Sequence, residues 1–484
     1  MSNQQQRTAE SPRCRDERGG TSLRRSRAGG TAAASQANSA SRTESGTTRL
    51  PTFASGGMLL ALAALGLHAA PAEPAQTRRA SGTSEGVQAN GASSYPSLSS
   101  DGRFVAFTSE ATNLVALDQN DADDVFVKDM ATGELRCASL SVAGHPGNGA
   151  SSSASISGDG QRVAFASSAA DLVAGDTNQL ADVFVRDLAA GTTVRLSVGP
   201  GGVQADGASS GPRLSADGRW VAFSSRATNL VAGDANGVAD VFVCDLQTGA
   251  IERASLGAGG AEANGPSEGP ALSADGRFVA FASVARNLIP GEGPGAPGTW
   301  NVYVRDRANG TTVRASARLG GGNGDGHSFE PALSGDGRWV AFTSYARDLV
   351  AVDTNARRDV YLRDLLLGTT LRVSLGAGGA EPDHDSSRPA LSADGRFVAF
   401  ESSATNLATG AAPPGSTWVF VHDRSSGITA RLFAAPSTPR PDGGAGLAAI
   451  SADGRFVACS SGEPALVAGD TNEAEDVFVR GPLD

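Results

Sequence analysis

From residue 77 onward the chain alternates short apolar runs with breaks rich in Gly, Asp and Ser, and the alternation is periodic. The segment "DGRFVAF" begins at Asp101, and its relatives begin at Asp159, Asp217, Asp275, Asp336, Asp394 and Asp453. The intervals are 58, 58, 58, 61, 58 and 59 residues. A fixed period of this size predicts a repeat architecture in which each unit buries its faces on its neighbours. Within a period, "PALS" or "PSLS" leads to an Asp-Gly turn and then to a run such as Phe104-Val105-Ala106-Phe107, apolar on both alternating faces. Such a strand is covered on both sides, and Asp-Gly between apolar runs is a strong hairpin signal. A second run of this kind follows, as in Val125-Phe126-Val127 and Val183-Phe184-Val185, then an Asp-x-x-x-Gly turn, then a more polar strand such as "TTVRLSV". Arg holds one slot of that last strand at positions 79, 195, 253, 314, 372 and 431, with Cys137 in the remaining copy. A polar alternating strand suits an outer edge.

Each unit therefore reads as a four-stranded antiparallel meander, with strands a, b, c and d. Seven such sheets around an axis make an all-β, seven-bladed β-propeller. The final unit, ending "DVFVRGPLD", lacks strand d, and "TRRASG" at 77–82 reads as a strand d with nothing before it. The N-terminal strand is expected to complete the last blade. An open β-solenoid would need no such orphan strand.

The repeats "LSADGRFVAFASVARNL…NVYVRD" and "LSADGRWVAFSSRATNL…DVFVCD" resemble the TolB-type propeller repeat, a relative of the WD repeat. The resemblance covers about residues 77–484. It implies the propeller fold and leaves function open. TolB itself carries an additional N-terminal domain and shorter repeats, which this chain does not show.

Residues 1–57 are rich in Ser, Arg, Gly, Gln and Thr and predict a disordered region. Residues 58–72 follow as a signal-peptide-like apolar segment, "MLLALAALGLHAAPA", with Ala70-Pro71-Ala72 as an A-x-A cleavage pattern. The apolar run is too short to span a bilayer. The mature chain is then expected to begin near Glu73, to contain no membrane span, and to be periplasmic or secreted from a bacterium. The propeller takes up residues 73–484. The formal net charge is -11, and beyond residue 57 the balance is 31 basic against 47 acidic residues. That argues against a nucleic-acid partner, which needs a basic face. The four cysteines share no metal-ligand spacing. A monomer is expected.

Meander topology puts the b–c and d–a loops on one face of the disc and the short a–b and c–d turns on the other. All the long loops share the first face, and loops on a rigid scaffold carry binding. Catalytic constellations are missing from the sequence. Two G-x-S-x-G matches, at 207–211 and 265–269, are followed by no helix and lack the strand–turn–helix context of a nucleophile elbow. Tyr95, Trp300, Tyr345 and Trp418 are the few aromatics placed near loops. Two readings of function remain. One is a non-catalytic binding scaffold whose long-loop face grips a protein or envelope-associated partner. The other is a propeller hydrolase or lyase using carboxylates near the central channel.

One motif recurs in the b–c loops. Asp-x-Asn-x-x-x-Asp is present as Asp118/Asn120/Asp124, Asp176/Asn178/Asp182, Asp234/Asn236/Asp240, Asp353/Asn355/Asp359 and Asp470/Asn472/Asp476. Hard oxygen ligands of this kind suit calcium. The same residues would equally fix turns through side-chain to backbone hydrogen bonds, with the last Asp opening strand c. Both readings stay open at this point.

Overall fold

A computed structural model describes residues 75–290, 298–408, 415–433 and 444–483. The disordered region expected at 1–57 and the signal-like segment at 58–72 lie outside the described residues. The remainder forms seven four-stranded antiparallel sheets, each a meander in the order a-b-c-d. In the first blade these strands are Ser93–Leu98, Phe104–Ser109, Asp124–Asp129 and Leu135–Cys137.

The last blade is closed as the orphan strand predicted. Gln76–Arg79 lies antiparallel to Asp476–Gly481, with Thr77 opposite Arg480 and Arg79 opposite Phe478. Beyond the ladder, the Ala80 N–H donates to the Val477 carbonyl at 2.7 Å, and the Ser81 hydroxyl donates to Asp476 at 2.6 Å. The one lysine of the chain, Lys128 on strand c of the first blade, donates to the Gly82 and Thr83 carbonyls at 3.0 and 2.7 Å. The segment after the closing strand is thereby pinned to the first blade.

The core lies between blades. Strands b and c are apolar on both faces because each is sandwiched by two neighbouring sheets. Val105, Phe107, Val125 and Phe126 are fully buried, as are their counterparts around the ring. In six blades an aromatic of strand b faces one of strand c, as with Phe107 and Phe126 at 5.9 Å between ring centres. The Asp-Gly turns interlock the blades. Gly276 has φ +69°, and a Cβ there would lie 2.4 Å from the Trp220 ring of the preceding blade. Both the left-handed backbone and the close approach demand glycine. The Arg that follows the turn pairs across the sheet with the Asp ending strand c, as in Arg219 with Asp245 at 2.8 Å.

The two G-x-S-x-G matches are resolved structurally. Ser209 and Ser267 open strand a of their blades, are buried, and donate to Ser225 and Ser283 at 2.9 Å. Trp418, expected near a loop, is instead fully buried at the start of strand c in the sixth blade.

Candidate functional site

The Asp-x-Asn-x-x-x-Asp loops fold into a recurring cage. In the fifth blade, Asn355 donates through Nδ2 to Asp359 at 3.0 Å and to the Pro382 carbonyl at 3.2 Å. Asp359 opens strand c, is fully buried, and accepts from the Ser374 hydroxyl at 2.6 Å. Arg372 enters from strand d. Its Nη1 lies 3.2 Å from Asp353 and 3.3 Å from Asp359, and its Nη2 donates to Glu381 of the d–a loop at 2.6 Å. The third blade repeats this with Arg253 against Asp234, Asp240 and Glu262 at 3.1, 3.3 and 2.8 Å. The second does so with Arg195 against Asp176 and Asp182 at 2.8 and 3.5 Å, with Gln204 at 3.2 Å. In the seventh, Arg79 lies 3.9 Å from Asp476, and the Gln88 amide reaches Asp470 at 2.7 Å. The motif and the strand-d arginine are therefore partners, brought together by loops distant in sequence. In the second, third and fifth blades a guanidinium fills the space between the carboxylates, and a calcium ion would have to compete with it.

The asparagines of the motif are committed in the same way around the ring. Asn120 donates to Asp124 at 2.8 Å and to the Gly147 carbonyl at 2.6 Å. Asn178 donates to Asp182 at 3.0 Å and to the Ala205 carbonyl at 3.2 Å. Asn236 donates to Asp240 at 2.7 Å and to the Ala263 carbonyl at 3.2 Å. Asn472 donates to Asp476 at 3.2 Å and to the Ala89 carbonyl at 2.9 Å. The other end of each amide is engaged too. The Oδ1 atoms of Asn120, Asn178, Asn236, Asn355 and Asn472 accept the N–H of Ala122, Leu180, Val238, Arg357 and Ala474, two residues on, at 2.9–3.1 Å. That is the side-chain to backbone bond of an Asx turn. These five residues, candidate calcium ligands on the sequence, stand in the structure as turn residues that tie the b–c loop to the d–a loop. Among the described residues no group of three or more His, Cys, Asp or Glu side chains is arranged to hold a metal ion.

Two blades have lost the motif, and their arginines find other faces. Arg314 lies over the Tyr303 ring and Arg431 over the Trp418 ring, at 5.3 and 5.2 Å from the ring centres. In the first blade the reverse has happened. Asp118, Asn120 and Asp124 are kept, but Cys137 replaces the arginine and Pro146 stands nine residues on, where the other four motif-bearing blades have Gln88, Gln204, Glu262 and Glu381. Burial, with added repulsion from Asp118, pushes the Asp124 carboxyl up to about 6. Burial also raises Asp118, whose Oδ1 has no hydrogen-bond partner.

Supplying the missing cation gives a direct test. Cys137→Arg is expected to stabilise the protein at neutral pH by about 2 kcal/mol, the worth of charge-assisted hydrogen bonds. The gain should shrink as pH falls through about 6, because Asp124 then carries a proton and offers no charge. Melting at neutral pH and near pH 5 checks both statements. A variant that melts lower than wild type at both values would show that the slot no longer accepts a guanidinium.

A second assembly lines the central channel. Strand a of every blade bulges after its second residue, so that two of its residues oppose one on strand b. The third residue of each strand a is left-handed: Tyr95, Ser153, Gly211, Gly269, Glu330, Arg388 and Leu447, with φ between 50° and 64°. These seven residues form a hoop around a cavity of about 520 Å³, on the half of each strand nearer the long-loop face. The hoop is uneven, with Gly or Ser on the second, third and fourth blades and large or charged residues on the others.

Its charged part is built from two adjacent blades. Arg388 Nη1 lies 3.1 Å from Glu401, and its Nε lies 3.8 Å from Glu330. Glu330 also accepts from the Arg388 N–H at 3.0 Å and from the Thr343 hydroxyl at 2.8 Å. Glu401 is the fifth residue of its strand b, where the other blades carry Thr108, Ala166, Ser224, Ala282, Thr343 and Ser460. It is buried, and its second oxygen accepts the Leu447 N–H of the next blade. Burial raises its pKa, against the pull of Arg388. Burial disfavours the Arg388 charge, but Glu401 and Glu330 together outweigh that and raise it. Tyr95 of this hoop, which the sequence placed near a loop, is on strand a and half exposed to the channel. Glu330, Arg388 and Glu401 escaped the sequence reading, although Glu401 stands out as a carboxylate in a column of small and hydroxyl residues.

No protein-family model matches the sequence, and no curated protein matches it. Solved structures similar in fold include TolB-type propellers. TolB from Acinetobacter baumannii is 15% identical with a TM-score of 0.37, the match covering 70% of this chain and 62% of that one. A putative TolB from Agrobacterium tumefaciens is 16% identical with a TM-score of 0.39, covering 72% of this chain and 94% of that one. An oligogalacturonate lyase in complex with manganese is 12% identical with a TM-score of 0.50, covering 85% and 96%. At such identities the likeness is one of fold. Among the described residues no helix is long and apolar enough to cross a membrane.

Proposed function

We propose that this chain is an exported binding propeller whose long-loop face grips a protein or envelope-associated partner. The observation that carries the reading is the asymmetry of the disc. Among the described residues the b–c and d–a loops emerge on one face, the charged half of the channel hoop lies toward that face, and the opposite face is built from tight Asp-Gly and Asp-x-x-x-Gly turns. Extended loops on a rigid ring supply adaptable contact surface, whereas tight turns supply little.

The reading is tested with photo-crosslinkers attached to single cysteines, Arg226→Cys in a b–c loop and Gln247→Cys in a c–d turn, in a periplasmic extract. A discrete adduct from position 226 that excess unlabelled protein suppresses, with none from position 247, is the expected result. No adduct, or one from position 247 alone, would overturn it. Export has its own measurement. Protein recovered from the producing cell should begin near Glu73, and cytoplasmic protein retaining residues 1–57 would reverse the localisation.

Buried Glu401 supports a second reading, a hydrolase or lyase working at the channel, because desolvated carboxylates serve as general acids. Turnover of a chromogenic ester, phosphate or glycoside that Glu401→Gln abolishes would favour it over the scaffold. A calcium role, on the same reasoning, belongs to the first-blade loop between Asp118 and Asp124, where no guanidinium competes. It requires a calcium-dependent rise in melting temperature that Asp118→Ala removes. Equal melting in millimolar Ca²⁺ and in EDTA leaves the loop as a turn.

A further inference from the structure

We propose that the central channel holds a binding site for an oxyanion, the carboxylate or phosphate of a small ligand, with Arg213 as its anchor. The site lies inside the ring and does not depend on the loop face binding a partner.

The fifth residue of strand a faces the same cavity in every blade. Six blades place Ser97, Ser155, Ala271, Ala332, Ala390 and Ala449 there, and the third blade alone places an arginine. The small residues leave the space that the guanidinium enters. The fourth residues are Pro or Ala throughout, so the wall around it is apolar. A volume of about 520 Å³ suits a small molecule.

Arg213 differs from the arginines of the cages and cross-strand pairs described above in having no carboxylate. Among the described residues it makes no ion pair, and its one hydrogen bond runs from Nη1 to the Pro212 carbonyl at 3.0 Å. It is exposed to the water of the channel yet enclosed by protein, and that enclosure pulls its pKa down. A guanidinium carries five donors in a planar fork that matches a carboxylate or phosphate. Here most of the fork is unused. Arg388, on the far side of the ring, does not compete for an anion because Glu401 and Glu330 already hold it. Those three residues carry one net negative charge, which orients a ligand. Its anionic end lies at Arg213, and its hydrogen-bond donors face Glu330.

A residue placed for stability would have its acceptors built in, and removing it would cost stability. Removing an anchor for an absent ligand should not. The experiment combines calorimetric titration and thermal melting of the full mature chain at neutral pH and constant ionic strength. Disodium succinate and inorganic phosphate are the probes, and uncharged succinamide is the control. Succinate, phosphate or both should bind one per chain and raise the melting temperature, with no effect of succinamide. The preferred probe identifies the ligand's anionic group. Arg213→Ala should weaken that binding by at least about tenfold, while its unliganded melting temperature equals or exceeds that of wild type. Absence of any anion effect in the wild type would overturn the proposal. So would binding retained in Arg213→Ala, or an unliganded variant melting well below wild type.

Discussion

Removal of residues 75–83 should lower the melting temperature by about 10–20 °C or drive the protein to aggregate. The strand Gln76–Arg79 is the fourth of the last blade, and without it Asp476–Gly481 becomes an unpaired edge. The loss extends past the ladder. Asp476 is fully buried and would lose both the Ser81 hydroxyl and Arg79. The Val477 N–H would lose the Ser81 hydroxyl that it donates to at 3.0 Å. Lys128, 7% exposed, would keep its charge and lose both carbonyl acceptors. Ala80 and Ser81, both fully buried, would leave a gap between the last and first blades. Stranding a buried charge costs about 3–5 kcal/mol and each lost ladder bond about 1 kcal/mol. The two stranded charges and about four lost ladder bonds total about 10–14 kcal/mol, which corresponds to the stated shift for a folded unit of about 400 residues. Differential scanning calorimetry of the truncated and full mature chains decides the matter. Melting within about two degrees of each other would refute closure by this strand.

The second large effect is expected from Arg372→Cys, which gives the fifth blade the strand-d residue of the first. Asp353, Asp359 and Glu381 would then face one another with no cation between them. We expect a loss of about 3–5 kcal/mol at neutral pH. The loss should depend on pH in a definite direction. Arg372 contributes to holding Glu381 down at about 2, after the larger contribution of the Thr354 hydroxyl. Burial already pushes Asp359 up to about 6 with the arginine present. Removing the cation raises Asp359 further above its unfolded value and lifts Glu381 from its depressed one. Protons then bind more tightly to the folded state, so the penalty is full above about pH 6 and fades toward pH 4. Urea unfolding at neutral pH and near pH 4 measures the difference. An equal loss at both values would mean that the variant suffers from lost packing, not from uncompensated charge.

The sequence carried the architecture because the period is written in local signals. Asp-Gly turns, two-faced apolar strands and an orphan strand d each act over a few residues, and their repetition made blade count and closure legible. The loop chemistry was only half legible. The Asp-x-Asn motif and the strand-d arginine were both visible, but the arginine read as one polar slot on an outer strand. Its partners sit 13 to 19 residues before it, as Asp359 and Asp353, and nine after it, as Glu381. The asparagines offered both a ligand and a turn reading, and the carbonyls that hold them, such as those of Ala205, Ala263 and Ala89, come from loops that the motif does not contain. Arg213 and Glu401 could have been found as breaks in columns of small residues. Their setting could not, since Glu330, Arg388 and Glu401 come from two blades and meet only when the ring forms. The left-handed hoop was invisible. Gly211 and Gly269 fit that backbone, but nothing in Tyr95, Glu330, Arg388 or Leu447 favours it, and the bulge imposes it on them.

That hoop separates shape from chemistry. Side chains other than glycine give up about 1 kcal/mol to sit in such a backbone, and five of the seven positions do so. The cost falls on the residue, while the bulge is fixed by its neighbours in the sheet. Apart from Arg388, which pairs with the buried Glu401, these positions are therefore open to exchange without disturbing the blades that carry them. A library randomised at these positions alone should return mostly folded proteins, with glycine gaining ground under selection for heat resistance. Under selection for ligand capture, the same library should move away from glycine on whichever side of the ring meets the ligand. One backbone would then serve many occupants, the specificity of each set by seven side chains.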